Sequence, residues 1–184
     1  MRSIASTGSE TFAGENEGYI YSRVGNPTVS ILEARIAALE EGQCALATSS
    51  GMGAMTAVLW TLLRSGDEVI ADKTLYGCTF ALLSHEIQRF GIKTRFADLT
   101  NPSGFDQAIT PRTRLVVAET PSNPNMRVVD IAELADRCRK AGALLLIDNT
   151  YCTPYLQKPI TLGAFSWSIR RRSTLADMAI FSPV

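Results

Sequence analysis

The sequence predicts an α/β fold with a mainly parallel sheet held between helices. Three observations carry that expectation. Short apolar stretches alternate with segments of helical spacing along most of the chain. The stretches around Val116 and Leu145 are apolar almost throughout, as strands buried on both faces are. Cap residues and glycines punctuate the helical segments at the expected places.

The elements follow in order. Residues 1–18 are rich in Gly, Ser, Thr and Glu and predict a flexible lead. Asn26-Pro27 starts a helix, because Asn caps well and Pro at the first helical position gives up an amide that has no partner anyway. Val29, Leu32, Ile36 and Leu39 recur at helical spacing, and Gly42 is the expected stop. Residues 44–48 predict a strand, 51–64 a helix ending at Gly66, and 68–72 a strand. Residues 76–90 predict a helix stopped by Gly91, 93–98 a strand, and 103–109 a short helix. Residues 114–119 predict a strand, 130–140 a helix capped by Asp130 and ended by Gly142, and 143–148 a strand. Strands joined by helices in this rhythm form βαβ units. Residues 165–184 break the rhythm, with three consecutive arginines and no clear period.

Composition narrows the function. Eighteen basic and eighteen acidic residues give zero net charge, which offers no electrostatic support for nucleic-acid or anionic-membrane binding. No apolar run approaches the roughly 18 residues of a spanning helix, and residues 1–18 lack the apolar core of a signal peptide. Cys44, Cys78, Cys138 and Cys152 form no C-x-x-C pair and fit a reducing cytoplasm. A single histidine, His85, argues against a histidine triad or a multi-histidine metal centre; it falls mid-helix and is read as structural.

Ligands of parallel sheets bind outside the carboxyl ends of the strands. After the first strand, Ser49-Ser50-Gly51-Met52-Gly53 opens a helix. Its small residues suit either a phosphate cradle or a tight turn. Tyr76 and Cys78 follow the second strand, Glu119 to Asn125 the fourth, and Asp148 to Cys152 the last. Asp148 at the end of an apolar strand caps a neighbour or meets a cationic ligand atom. Two ligands fit this layout. A dinucleotide would use Gly51, Gly53 and Asp72, but Thr56 replaces the third glycine of the fingerprint. Pyridoxal phosphate would use Ser50 to Met52 for its phosphate, Tyr76 for its ring and Asp148 for its ring nitrogen.

The segments YSRVGNPT, SSGMGA, GDEVIADKTLYGCTF, ETPSNPNM and IDNTYCTPYLQ resemble the Cys/Met metabolism family of pyridoxal-phosphate enzymes, from about Glu10 to Ala164. The resemblance implies an aspartate-aminotransferase-like (fold type I) large domain over 19–164, here incomplete. It implies pyridoxal 5′-phosphate as cofactor, a sulfur amino acid as substrate, and a dimer-built tetramer. Within the family, Cys78 in LYGCTF followed by NTYCTPYLQ is most similar to the methionine γ-lyases. Cystathionine γ-synthases, cystathionine lyases and homoserine sulfhydrylases share most other motifs.

By the same resemblance, Ser50, Gly51 and Met52 hold the phosphate, and Tyr21 and Arg23 reach the phosphate of a neighbouring subunit. Tyr76 stacks on the ring and assists proton transfer to the leaving group. Asp148 pairs with the ring nitrogen, Asn123 contacts the phenolic oxygen, and Cys78 lies near the substrate. One departure is large. The family continues into a motif of the type S-A-T-K-Y, whose lysine binds the cofactor covalently. The lysines here are Lys73, Lys93, Lys140 and Lys158, and none has that context. Back-translation of residues 165–184 with permissible codons, read from the third base of Phe165, gives LVVHSATKYLSGHGDILTG. The expectation is therefore that this tail comes from an out-of-frame reading, that the chain has little activity alone, and that the truncated sheet has an uncovered edge.

Overall fold

The computed structural model describes residues 10–15, 18–22, 25–169 and 177–181. Of the expected flexible lead, residues 1–9 and 16–17 lie outside these. Residues 10–12 make a helical turn, closed by the Glu15 amide donating to the Glu10 carbonyl at 2.9 Å.

Helix α1 (Pro27–Glu40) starts where the sequence places it. The Asn26 side chain accepts from the amides of Thr28 and Val29. Its stop differs from expectation. Glu41, not Gly42, takes the left-handed conformation, at φ 59°. Gly42 is required for a different reason: a Cβ there would lie 2.7 Å from the Ile180 side chain. Strand β1 (Cys44–Thr48), α2 (Gly51–Leu62) and β2 (Glu68–Asp72) follow. The expected single helix over 76–90 is three pieces: α3 (Gly77–Ala81), a π-helical turn at Leu82–Glu86 and a 3₁₀ turn at Ile87–Phe90. Gly91 ends it at φ 78°. Then come β3 (Lys93–Ala97), α4 (Pro102–Ala108), β4 (Thr113–Glu119), α5 (Ile131–Ala141), β5 (Leu144–Asp148) and the short α6 (Thr153–Leu156). Asp130 caps α5 through the Glu133 amide, and Gly142 closes it in the left-handed region.

Two further strands were not expected. β6 (Ser166–Ile169) and β7 (Asp177–Phe181) come from the tail that shows no period. The seven-stranded sheet has the order β1-β7-β6-β5-β4-β2-β3. β6 runs parallel to β5, and β7 runs antiparallel to both β6 and β1. The expected uncovered edge beyond β5 is therefore filled: with only a handful of residues, each short strand supplies the backbone pairing that continues the sheet. Among the described residues, no helix is long and apolar enough to cross a membrane.

The sheet divides two cores, as strand alternation requires. Ile70, Val116, Leu145 and Ile147 face α4 and α5, against Phe105, Leu134 and Cys138, and Ile180 lies on the same side of the sheet under the end of α1, beside Gly42. Val69, Leu115, Val117, Leu146 and Ala179 face α2 and the 77–90 segment, against Met55, Leu59, Leu83 and Ile87. The same alternation fixes where the acids at the strand ends point. Glu119 is in step with Leu115 and Val117, and Asp148 with Leu146, so both face the α2–α3 side. Asp72 is in step with Ile70 and faces the other way.

Candidate functional site

The site is built at the carboxyl ends of β1, β2, β4 and β5. Ser50 is the N-cap of α2: its backbone is extended, and its Oγ accepts from the Gly53 amide at 3.0 Å. The Thr48 hydroxyl donates to the Ser50 carbonyl at 2.8 Å and fixes the turn. The first amides of a helix have no partner within it, and here they belong to Gly51 and Met52. A Cβ at Gly53 would come within 3.2 Å of the Ser50 Oγ, so small residues are needed for the cap to form. The result is a helix start that favours an anion by dipole and by aligned amides. The Thr79 hydroxyl donates to the Met52 sulfur at 3.9 Å and joins this turn to α3.

Tyr76 begins α3, and its side chain is half exposed. Its amide donates to the Glu119 carboxylate at 2.6 Å. Cys78, two residues on, is a free and exposed thiol. Asp148 is buried, 4% exposed. One of its oxygens accepts from the amide and the hydroxyl of Thr150. The parallel register pairs Asp148 with Glu119. Asn123 is exposed in the loop after β4, and its amide lies 3.4 Å from the second Glu119 oxygen. Ser50, Gly51, Met52, Tyr76, Asn123 and Asp148 thus share one end and one face of the sheet. Tyr21 is half exposed ahead of α1, with its carbonyl accepting from the Gly25 amide. Arg23 lies outside the described residues.

Several residues of the site have contacts that the sequence does not show. Glu119 ties two loops by their backbones. Asn149 and Gln157 exchange a side-chain bond of 2.7 Å, and Gln157 also donates to the Thr120 carbonyl at 3.0 Å. They clamp the loop after β5 to the loop after β4. Arg127 bonds the hydroxyls of Thr74 and Thr100 and the carboxylate of Asp98. Lys73 sits 2.7 Å from Asp98, and its hydrogen bond, with those of Thr100 and the charge of Arg127, holds the Asp98 carboxyl well below the usual range. Their bonds run to backbone or across loops, so spacing along the chain does not reveal them.

Two other places are set aside on structural grounds. Asp72 is engaged on both oxygens, by the amides of Thr74 and Leu99 at 2.7 and 2.9 Å. It also faces away from Ser50, and β1 lies at the sheet edge. A dinucleotide site built on Gly51, Gly53 and Asp72 has no support here. A cleft of about 500 Å³ lies between α4 and α5, far from the strand ends. Its charged groups are already paired, Arg137 with Asp106 and Glu133, and Lys140 with Asp136.

A family model described as Cys/Met metabolism PLP-dependent enzyme matches residues 3–165. The chain is 55% identical over 157 residues to an L-methionine γ-lyase of Pseudomonas putida, covering 85% of this chain and 39% of that protein. It is 43% identical over 159 residues to a cystathionine γ-lyase of Bacillus subtilis, covering 86% and 42%. It is 44% identical over 160 residues to an O-succinylhomoserine sulfhydrylase of Pseudomonas aeruginosa, covering 87% and 40%. A crystal structure of cystathionine γ-lyase from Lactobacillus plantarum, complexed with L-serine, superposes with a TM-score of 0.86 at 32% identity, over 91% of this chain and 46% of that one. The chain spans less than half the length of these relatives.

Proposed function

Since the chain belongs to the Cys/Met metabolism PLP-dependent enzyme family, we propose that it derives from an enzyme that cleaves sulfur amino acids at the γ-carbon. Methionine γ-lyase is the favoured type, and the products would be a thiol, a 2-oxo acid and ammonia. The 55% identity to the Pseudomonas putida enzyme supports that choice, as does Cys78 beside Tyr76. A cystathionine γ-lyase or a homoserine sulfhydrylase is the second reading, supported by relatives at 43 and 44%.

The single observation behind the cofactor is the convergence of an anion-favouring helix start, an exposed tyrosine and a buried carboxylate on one face. The residues fit pyridoxal 5′-phosphate. Ser50, Gly51 and Met52 would hold the phosphate, because aligned amides and a helix dipole match a dianion. Asp148 would hold a proton on the ring nitrogen, since a buried carboxylate is stabilised by a cationic partner. Tyr76 would cover the ring and hand a proton to the departing sulfur, and Asn123 would bond the phenolic oxygen. When bound, the cofactor supplies an electron sink beside the substrate's α-carbon. Cys78 would border the substrate. Tyr21 and Arg23 would complete the phosphate site of a second copy, so the working unit would be a homo-oligomer, a dimer-built tetramer in the whole enzyme. The free cysteines suit the cytoplasm.

This chain would hold the cofactor without a covalent bond and turn over little or nothing, because no lysine lies at the end of β6. We hold that residues 165–184 are an out-of-frame reading, a view supported by the family match ending at residue 165. The coding DNA decides that point: a shifted frame that does not run on into the family's C-terminal domain would refute it. For the cofactor, titration of the chain with pyridoxal 5′-phosphate followed by borohydride is expected to show saturable binding, with attachment to peptide scattered over surface amines and not concentrated at one lysine. Stoichiometric attachment at a single lysine, or thiol release from L-methionine at rates of an intact enzyme, would count against this reading.

A further inference from the structure

We propose that Glu119 is the positioning residue of this site. Its buried carboxylate ties the backbone of Tyr76 to that of Asn123 and so sets the separation of the two residues that flank the cofactor ring. The inference rests on the cofactor reading above and goes beyond it, because Glu119 itself need touch neither cofactor nor substrate.

Glu119 is the last residue of β4 and is 4% exposed. A carboxylate at such a place is costly unless it is bonded. It spends its oxygens on main chain. Oε2 accepts from Tyr76, 43 residues away, at 2.6 Å, and Oε1 faces the Asn123 amide at 3.4 Å. Each oxygen therefore serves a different loop. The Tyr76 bond is the short one and carries most of the tie, as bonds to charged acceptors do. Tyr76 has no side-chain cap of its own at the start of α3, so the acid from β4 fixes where that helix begins. The rigid partner is the sheet: Glu119 is held in register with Asp148. One strand end thus places the ring-covering tyrosine, the loop of Asn123 and, through its neighbour, the acid for the ring nitrogen.

The test uses the full chain with pyridoxamine 5′-phosphate, which keeps the ring and phosphate but has no aldehyde to react with surface lysines. Glu119→Gln removes one of the two acceptors. Binding is expected to weaken about tenfold, the effect of losing one charge-assisted bond. Glu68→Gln is the control: it alters a buried acid at the opposite end of the sheet, and should lower the melting temperature while leaving affinity unchanged. Hydrogen exchange without ligand is the second arm. The Tyr76 amide should be protected in the unaltered chain and should exchange faster in Glu119→Gln. Affinity retained in Glu119→Gln overturns the proposal. So does a Tyr76 amide that exchanges freely in the unaltered chain, a result that needs no variant to fold. An unaltered chain that protects this amide yet fails to bind the probe would instead overturn the cofactor reading, and with it the positioning role.

Discussion

The body of the chain, from α1 to β5, and the tail that supplies β6 and β7 join one sheet on different terms. Away from the tail, each buried acid has at least one hydrogen-bonded oxygen, and the second oxygen of Glu68 is ion-paired with Arg112. Asp72 and Glu119 accept from loop amides, and Asp148 from Thr150. Glu68 sits among Arg95, Arg112 and Thr110, whose bonds and charges hold its carboxyl below the usual range. Beside the tail the pattern fails. Glu40 is fully buried, and neither of its carboxylate oxygens has a hydrogen-bond partner among the described residues. It lies two residues before Gly42, which packs against Ile180 of β7. Closing a sheet asks only for backbone pairing and apolar side chains of suitable size. Satisfying a buried acid asks for one particular group at one particular place. Among the described residues, the tail meets the first demand and not the second.

The comparison breaks most directly at Ile180, which is fully buried. Ile180→Asp puts a charge into the core under the end of α1, and should cost about 4 kcal/mol or more. In urea denaturation the whole chain should lose its cooperative transition. If stability is unchanged, the body folds without β7 and the tail is incidental. Leu146→Ala makes the matching change inside the body. Leu146 is also fully buried, and the expected loss is about 2–5 kcal/mol. A loss well below that would mean the body's core can collapse around the gap.

The two regions were unequally legible. The helices of the body could be read because each carries its own punctuation: Asn26-Pro27 before α1, Asp130 and Gly142 around α5. The strands could be read because Val116, Val117 and Leu145 to Ile147 are apolar on both faces. The breakdown of the 77–90 helix into α, π and 3₁₀ turns has no marker in composition. β6 and β7 were hidden because the alternation of residues 165–169 is too short to stand out beside the three arginines that follow, and residues 177–181 do not alternate. Their place is set by the strands on either side, not by their own pattern. In the site, Ser50 to Met52, Tyr76, Asn123 and Asp148 could be found from motifs at strand ends. Glu119 could be seen as a strand-end acid, but its partners are main-chain amides, which look alike at every residue.

Glu40 offers a smaller and pH-dependent break. Burial pushes its carboxyl up to about 7, against the lowering pull of Lys158 and with a small push from Glu41. Its folded value lies above its unfolded value, so the folded state holds the extra proton. Stability should therefore fall as pH rises from about 4.5 to about 7, and level off above. Glu40→Gln should remove this slope and leave the chain more stable at pH 8, as read from urea midpoints at several pH values. A wild-type midpoint that is flat across that window would show that Glu40 has a partner after all.

The smallest effect separates a cap that only folds from one that also binds. Asn26 and Ser50 cap α1 and α2 with the same kind of bond, a side-chain oxygen accepting from a first-turn amide. Asn26→Ala and Ser50→Ala should each cost about 1 kcal/mol of stability. Only Ser50→Ala should weaken pyridoxamine 5′-phosphate, because only α2 begins beside Tyr76 and Asp148. The two variants have matched stability, so a difference in affinity between them belongs to the ligand and not to the fold. Equal affinities would mean that the start of α2 is a turn for packing and not a cradle for phosphate, which is the structural alternative its small residues always allowed.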